Sequence, residues 1–125
     1  MDTRSKILTP AAARRIPAPV TVVTGFFDVL RAEHARELQK ARREGSGRPL
    51  LVVVLPLADA LLGQRARAEL VAGLRMVDYV VAADWEEVAA LIDSLKPAQL
   101  IRLETADARR ARQLIEHVHH RQSAR

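Results

Sequence analysis

A three-layer α/β/α sandwich around a parallel sheet is the fold this sequence predicts, and three observations predict it. Runs rich in β-branched residues alternate with helix-periodic stretches four times along the 125 residues. One run, Leu50–Leu55 (LLVVVL), is continuously apolar, as suits a strand covered on both faces. The connections are short, and right-handed crossovers between parallel strands then place helices on both sides of the sheet. The length allows a single domain with one core.

Residues 1–19 read as an amino-terminal arm or short helix, with residues 20–125 as the domain. In the arm, Thr9 precedes Pro10, a favourable helix start with proline at the first helical position. Pro17 and Pro19 end that helix within about two turns. Val20–Thr24 (VTVVT) is the first strand. Gly25–Leu30 forms a loop, and Ala32–Arg43 a helix that Gly45, Ser46 and Gly47 terminate. Leu50–Leu55 is the second strand, closed by Pro56. Ala58–Leu74 reads as helical, with a possible break near Gly63, and Val77–Ala82 as the third strand. Asp84 and Glu87 form a capping box for the next helix, whose apolar stripe is Val88, Leu91, Ile92 and Leu95. Trp85 is expected to pack at that helix start. Pro97 stops the helix, Gln99–Leu103 is the fourth strand, and Ala111, Leu114, Ile115 and Val118 mark one face of a last helix.

Composition excludes several classes of function. The chain has no cysteine, which removes disulfides, zinc–thiolate sites and cysteine nucleophiles. No apolar run approaches the roughly 20 residues needed to span a bilayer. The first residues lack an apolar signal region, so a cytoplasmic location is expected. The net charge of +5 suits an anionic partner. Nucleic acid is disfavoured, because only three of the twenty basic residues are lysines, the arginines are dispersed, and three per cent aromatic content provides no row of stacking platforms. The densest basic run is Arg109, Arg110, Arg112, Arg121 and Arg125. His117, His119 and His120 lack the i, i+4 spacing of a helical metal site.

In sheets of this type ligands bind beyond the carboxyl ends of the strands, where strand order reverses. The first strand runs into Thr24-Gly25-Phe26-Phe27-Asp28, followed by Arg31-Ala32-Glu33-His34 at a helix start. A helix amino terminus offers unpaired N–H donors to an anion, and Gly25 allows close backbone approach. His34 would reach a phosphate from the first helical turn, or else it is a surface histidine. Asp28 reads either as a site carboxylate or as a turn residue. Phe26 and Phe27 either line a base pocket or pack beneath the helix. By position alone Arg67 reads as a salt-bridged surface residue, and Arg102 lies at a strand end near the crevice.

The stretch VTGFFDVLRAEHARELQKAR resembles the signature of the cytidylyltransferase-like nucleotidyltransferases, in which a His-x-Gly-His motif follows Gly-x-Phe-Asp. Two further stretches agree in order: RAELVAGLRMVDYVV, from Arg67 to Val81, and Leu95-Lys96-Pro97. The KILT start also resembles the leader of the ADP-heptose synthases, and the likeness extends from Lys6 to Leu103. It is nearest to the adenylyltransferase domain of ADP-heptose synthase and to glycerol-3-phosphate cytidylyltransferase.

The resemblance implies a Rossmann-like sheet of the nucleotidyltransferase/adenine nucleotide α-hydrolase-like type. It implies His34 and Arg31 as the residues that hold nucleotide phosphates. Gly25, Phe26, Phe27, Asp28, Arg67 and Arg102 would complete the nucleotide site. The ligand would be ATP or CTP, with Mg²⁺ as the ion in an active enzyme. A phosphorylated sugar or polyol would be the acceptor, pyrophosphate the leaving group, and a homodimer the assembly.

The pattern is eroded at four places. Arg31 stands for the first motif histidine and Glu33 for the glycine. Pro56-Leu57-Ala58-Asp59 and Leu62-Gly63-Gln64-Arg65 replace the polar turn and the basic glycine-rich loop. Arg102-Leu103-Glu104-Thr105 replaces Lys-Gly-Gly-Asp, and no Ser/Thr-rich phosphate grip follows. Two like charges about 4 Å apart repel by about 4 kcal/mol at an effective dielectric of about 20, so Glu33 is the most damaging change. The expectation is a domain that binds a nucleotide or a partner with weak or no transfer; the alternative is an active nucleotidyltransferase.

Overall fold

The computed structural model describes residues 2–105. After a 3-10 turn at Thr3–Lys6, the elements are β1 (Ile7–Leu8), α1 (Pro10–Ala13), β2 (Thr21–Gly25), α2 (Ala32–Glu44), β3 (Leu50–Val54), α3 (Gln64–Ala72), β4 (Tyr79–Ala82), α4 (Trp85–Leu95) and β5 (Gln99–Arg102). The five strands form one sheet in the order β1-β4-β3-β2-β5, and every pairing is parallel.

The sheet is central because β2 and β3 are buried along their whole length. Successive residues point to opposite faces. Val22, Leu51, Val53 and Val81 pack with Ile16, Val88, Leu91 and Leu95, beneath α4 and the residues after α1. Val23, Leu50, Val52 and Val54 pack with Leu38, Ala41, Ala68 and Val71, beneath α2 and α3. The expected three-layer α/β architecture is therefore present.

The helix ends follow their sequence signals. Thr9 Oγ1 accepts the Ala12 N–H at 3.1 Å, with Pro10 at the first helical position. At α4, Asp84 accepts the Glu87 N–H at 2.8 Å and Glu87 accepts the Asp84 N–H at 3.2 Å, which closes the capping box. That helix ends with Lys96 in the left-handed region (φ 46°), just before Pro97.

Three points differ from the expectation. Four strands were expected among residues 20–103, but the sheet begins earlier, in the arm, where Ile7 and Leu8 pair with Val80 and Val81. Two residues are too few to carry a periodic signal, and tertiary contact makes this strand: Lys6 Nζ donates to the Leu74 carbonyl at 3.1 Å. The expected helix over Ala58–Leu74 begins only at Gln64. Side chains from elsewhere take the backbone groups of residues 61 and 62, and Asp59 is left-handed (φ 60°). Trp85 is 55% exposed rather than packed. The expected last helix, with His117, His119, His120 and the terminal arginines, lies outside the described residues. No helix among the described residues is long and apolar enough to cross a membrane.

From β2 the chain steps to β3 and then β4, and afterwards returns across the sheet to lay β5 on the other side of β2. Strand order thus reverses at β2, and its carboxyl end is where a crevice opens.

Candidate functional site

Gly25 closes β2, and its carbonyl accepts the Leu55 N–H at 2.8 Å. A Cβ on Gly25 would stand 2.8 Å from the Phe27 ring, so glycine is required here for close packing. Phe27 is buried and adopts a left-handed backbone (φ 52°). Its ring belongs to the core beneath α2, not to an open pocket. Phe26 is half-buried against the opposite core.

The next turn leads into α2, with Arg31 at the N-cap. His34 is the third residue of the helix and is only 5% exposed. Its Nδ1 accepts the Arg31 N–H at 3.0 Å, and its ring lies 5.5 Å from that of Phe27 at 59°. Part of the role of His34 is therefore structural: it fixes the start of α2. The surface-histidine alternative is excluded by its burial. Arg31 is exposed, and Glu33 is half-buried in the first turn.

Asp28 spans to the loop after β3. Its two carboxylate oxygens accept the N–H groups of Leu61 (3.0 Å) and Leu62 (3.1 Å). Arg67 closes the same clasp from below. It is 2% exposed, and its Nε donates to the Leu62 carbonyl at 3.1 Å. Its Nη1 donates to the carbonyls of Phe26 (2.7 Å) and Leu55 (2.8 Å). Burial pulls the Arg67 pKa down, and the nearby Asp28 carboxylate pushes it back up. Arg67 is thus not the salt-bridged surface residue of one reading. Gln64 extends the seal: its amide donates to the carbonyls of Val54 (2.9 Å) and Ala83 (2.8 Å). The carbonyls at the carboxyl ends of β3 and β4 are therefore tied to the start of α3.

On the other side of β2, the Thr24 hydroxyl donates to Glu104 Oε2 at 2.7 Å, and Arg102 lies 3.7 Å from Glu104 Oε1. These three residues border a cleft of about 370 Å³ with Leu55, Trp85 and Ile92. Arg102 reaches the crevice as expected, but its guanidinium is paired with a carboxylate there.

The structure thus brings Gly25, Phe26, Phe27, Asp28, Arg31 and His34 together around the start of α2 and joins Arg67 to them through Phe26. Arg102 stands across β2. Sequence reasoning missed Gln64, Thr24 and Glu104. The uncapped Gly63-Gln64 helix start was the available signal for Gln64, and none marked the other two. Mg²⁺ does not fit as a protein-held ion. Both Asp28 oxygens are engaged, and no cluster of three or more His, Asp or Glu residues able to hold a metal occurs among the described residues.

No family model matches the chain. Its relatives include the bifunctional protein HldE of Syntrophotalea carbinolica, 37% identical over 100 residues, which are 71% of this chain and 20% of that protein. HldE of Geobacter sulfurreducens is 38% identical over 66% of this chain and 18% of its own length. The chain thus spans about a fifth of the length of these relatives. Among solved structures, a lipopolysaccharide core biosynthesis protein from Thermoplasma volcanium superposes with a TM-score of 0.57 at 22% identity, covering 64% of this chain and 70% of that one; that likeness concerns the fold. Sequence similarity to one segment of HldE supports a nucleotidyltransferase-like domain, and the shared fold is consistent with the resemblance to the cytidylyltransferase-like nucleotidyltransferases.

Proposed function

We propose that this domain binds a nucleotide, ATP or CTP, or else a protein partner at the start of α2, and transfers a nucleotidyl group weakly or not at all. One observation carries the reading: Glu33 is half-buried in the first turn of α2, beside His34, where the phosphates of a bound nucleotide would lie. A carboxylate there opposes the anion that the helix terminus favours. The His34 ring supports the reading too, because its Nδ1 is committed to the Arg31 N–H. Arg31 replaces an imidazole with a longer, permanently charged group that can hold an anion but cannot shuttle a proton.

A second reading, active transfer of AMP or CMP to a phosphorylated sugar or polyol, is favoured by the matched positions Gly25, Phe27, Asp28 and His34. Any Mg²⁺ would then arrive on the phosphates of the nucleotide. A homodimer belongs to the same family expectation.

The test is pyrophosphate release from ATP or CTP with Mg²⁺ and a panel of sugar phosphates. The proposal expects none above background. Release that disappears in His34→Ala establishes the second reading instead. The double variant Arg31→His, Glu33→Gly is expected to tighten nucleotide binding at least tenfold, on the order of 1.4 kcal/mol. Unchanged binding would remove the motif as the cause of weak activity.

A further inference from the structure

We propose that Glu104 is an autoinhibitory latch: its carboxylate bridges the carboxyl ends of β2 and β5 and shuts the crevice between them to anions. The latch rests on the nucleotide reading for the identity of the ligand. It adds to that reading a second carboxylate, on another segment of the chain, that acts independently of Glu33.

Three observations converge on it. The first is place. The chain leaves β2 toward β3 and β4 and returns to lay β5 against the other side of β2. The carboxyl ends of these two neighbours therefore flank the point where strand order reverses, and Glu104 follows directly on β5. The second is the contact set. Thr24, on β2, is 1% exposed, and its hydroxyl donates to Glu104 Oε2 at 2.7 Å. Arg102, on β5, brings Nη1 within 3.7 Å of Glu104 Oε1. One carboxylate thus engages a donor on each wall of the crevice. A phosphoryl group presents the same kind of acceptor to the same donors, so it has to displace Glu104 to use them. The third is rigidity. The Leu103 N–H donates to the Thr24 carbonyl at 2.8 Å, which pins the backbone next to Glu104. The Glu104 side chain is 16% exposed, against 59% for that of Arg102. The latch is already ordered, so it closes at little entropic cost.

The charges around the latch act in the same sense. The adjoining cleft of about 370 Å³ has the size of a small-ligand site. Among the described residues that line it, Arg102 is the one cation, while Glu104 and Asp93 are carboxylates. With Glu104 seated, the positive charge of Arg102 is compensated and Asp93 is left over, so the cleft disfavours an anion. Without the Glu104 charge, the guanidinium and the Thr24 hydroxyl face the crevice together.

The experiment uses the full chain, with ATP and inorganic pyrophosphate as probes and calorimetry to measure affinity. Trp85 is the single tryptophan and lines the cleft, so its emission reports entry there. Glu104→Gln keeps the size of the side chain and an acceptor for Thr24 but removes the charge. Both probes are expected to bind at least about tenfold tighter to this variant, with a saturable change in Trp85 emission. Thr24→Val keeps the volume and takes away the anchor of the latch; it should tighten binding at least about threefold. Should Glu104→Gln fail to fold, Thr24→Val decides. Asp93→Asn is the control for charge alone. Asp93 lines the same cleft but is bonded to neither Thr24 nor Arg102 among the described residues, and the variant should stay within about twofold of the parent. A merely structural Glu104 predicts a lower melting temperature in Glu104→Gln with no gain in affinity, and that result would overturn the proposal. Equal tightening in Asp93→Asn, or tighter binding that leaves Trp85 emission unchanged, would overturn it too. If Glu104→Gln tightens binding and the double variant Arg31→His, Glu33→Gly does not, the latch stands and the reading of the α2 motif fails. The reverse result removes the latch alone.

Discussion

Arg67 joins three chain segments through a single guanidinium, which makes it the most demanding residue of the structure. The carbonyls of Phe26, Leu55 and Leu62 all depend on it. A buried acceptor left without its donor costs about 1–3 kcal/mol. Arg67→Met is therefore expected to destabilise the protein by roughly 3–5 kcal/mol, the scale of breaking a buried polar network. Arg67→Lys should recover little of that loss, because a single ammonium lacks the rigid fork that meets carbonyls on separate segments. Urea unfolding of the three proteins measures both effects, and a lysine variant as stable as the parent would show that charge rather than geometry matters. Gly25 makes the complementary case, one of missing atoms. Adding a methyl puts it 2.8 Å from the Phe27 ring, so Gly25→Ala should cost about 1–3 kcal/mol by overpacking. Phe27→Leu in the same chain should relieve part of that cost, appearing as a coupling of at least about 0.5 kcal/mol in a double-mutant cycle.

Among the elements, those whose cause is local were legible in the sequence. β3 reads from five consecutive apolar residues, and α4 from Asp84, Glu87 and its stripe; Asp84→Ala should accordingly cost about 1 kcal/mol in thermal or urea unfolding, the usual worth of an N-cap. Elements whose cause is distant were not legible. β1 exists because β4 offers it an edge, and residues 58–63 stay out of the helix because Asp28 and Arg67 claim the backbone of Leu61 and Leu62. The same division holds at the site. Gly25, Phe27, Asp28 and His34 sit in one contiguous stretch that a motif can find, whereas the burial of Arg67 and the Thr24–Glu104 contact come from residues far apart in the chain. The loop gives the sharpest test of this account. In Asp28→Ala the Leu61 and Leu62 amides lose their acceptor, so their hydrogen exchange should accelerate at least about tenfold while the β3 amides keep their protection. Equal acceleration in both places would mean that Asp28 supports the whole sheet, not the loop.

For the whole molecule, the question is whether two cores on opposite faces of one sheet behave as one. Val52 and Val53 are neighbours on β3, yet Val52 packs beneath α2 and α3 while Val53 packs beneath α4. β3 is hydrogen-bonded to β2 on one side and to β4 on the other, so neither core can open without breaking strands that the other needs. A shared backbone of this kind makes unfolding cooperative. Val52→Ala and Val53→Ala each remove two methyl groups from a fully buried position, with an expected cost of about 1–3 kcal/mol apiece. Two probes can see different parts of the event. Trp85 fluorescence reports on the α4 side, and far-ultraviolet circular dichroism on the helices of both faces. In each variant both probes should shift to the same lower denaturant midpoint. If Val52→Ala lowered the dichroism midpoint and left that of Trp85 in place, the two faces would be separate folding units, and the clasp of Asp28 and Arg67 would be anchored to only one of them. With a shared transition, any ligand bound at the carboxyl end of the sheet stabilises both cores at once. Its effect on the melting temperature then reports binding at the start of α2, and loss of that effect in His34→Ala places the ligand there.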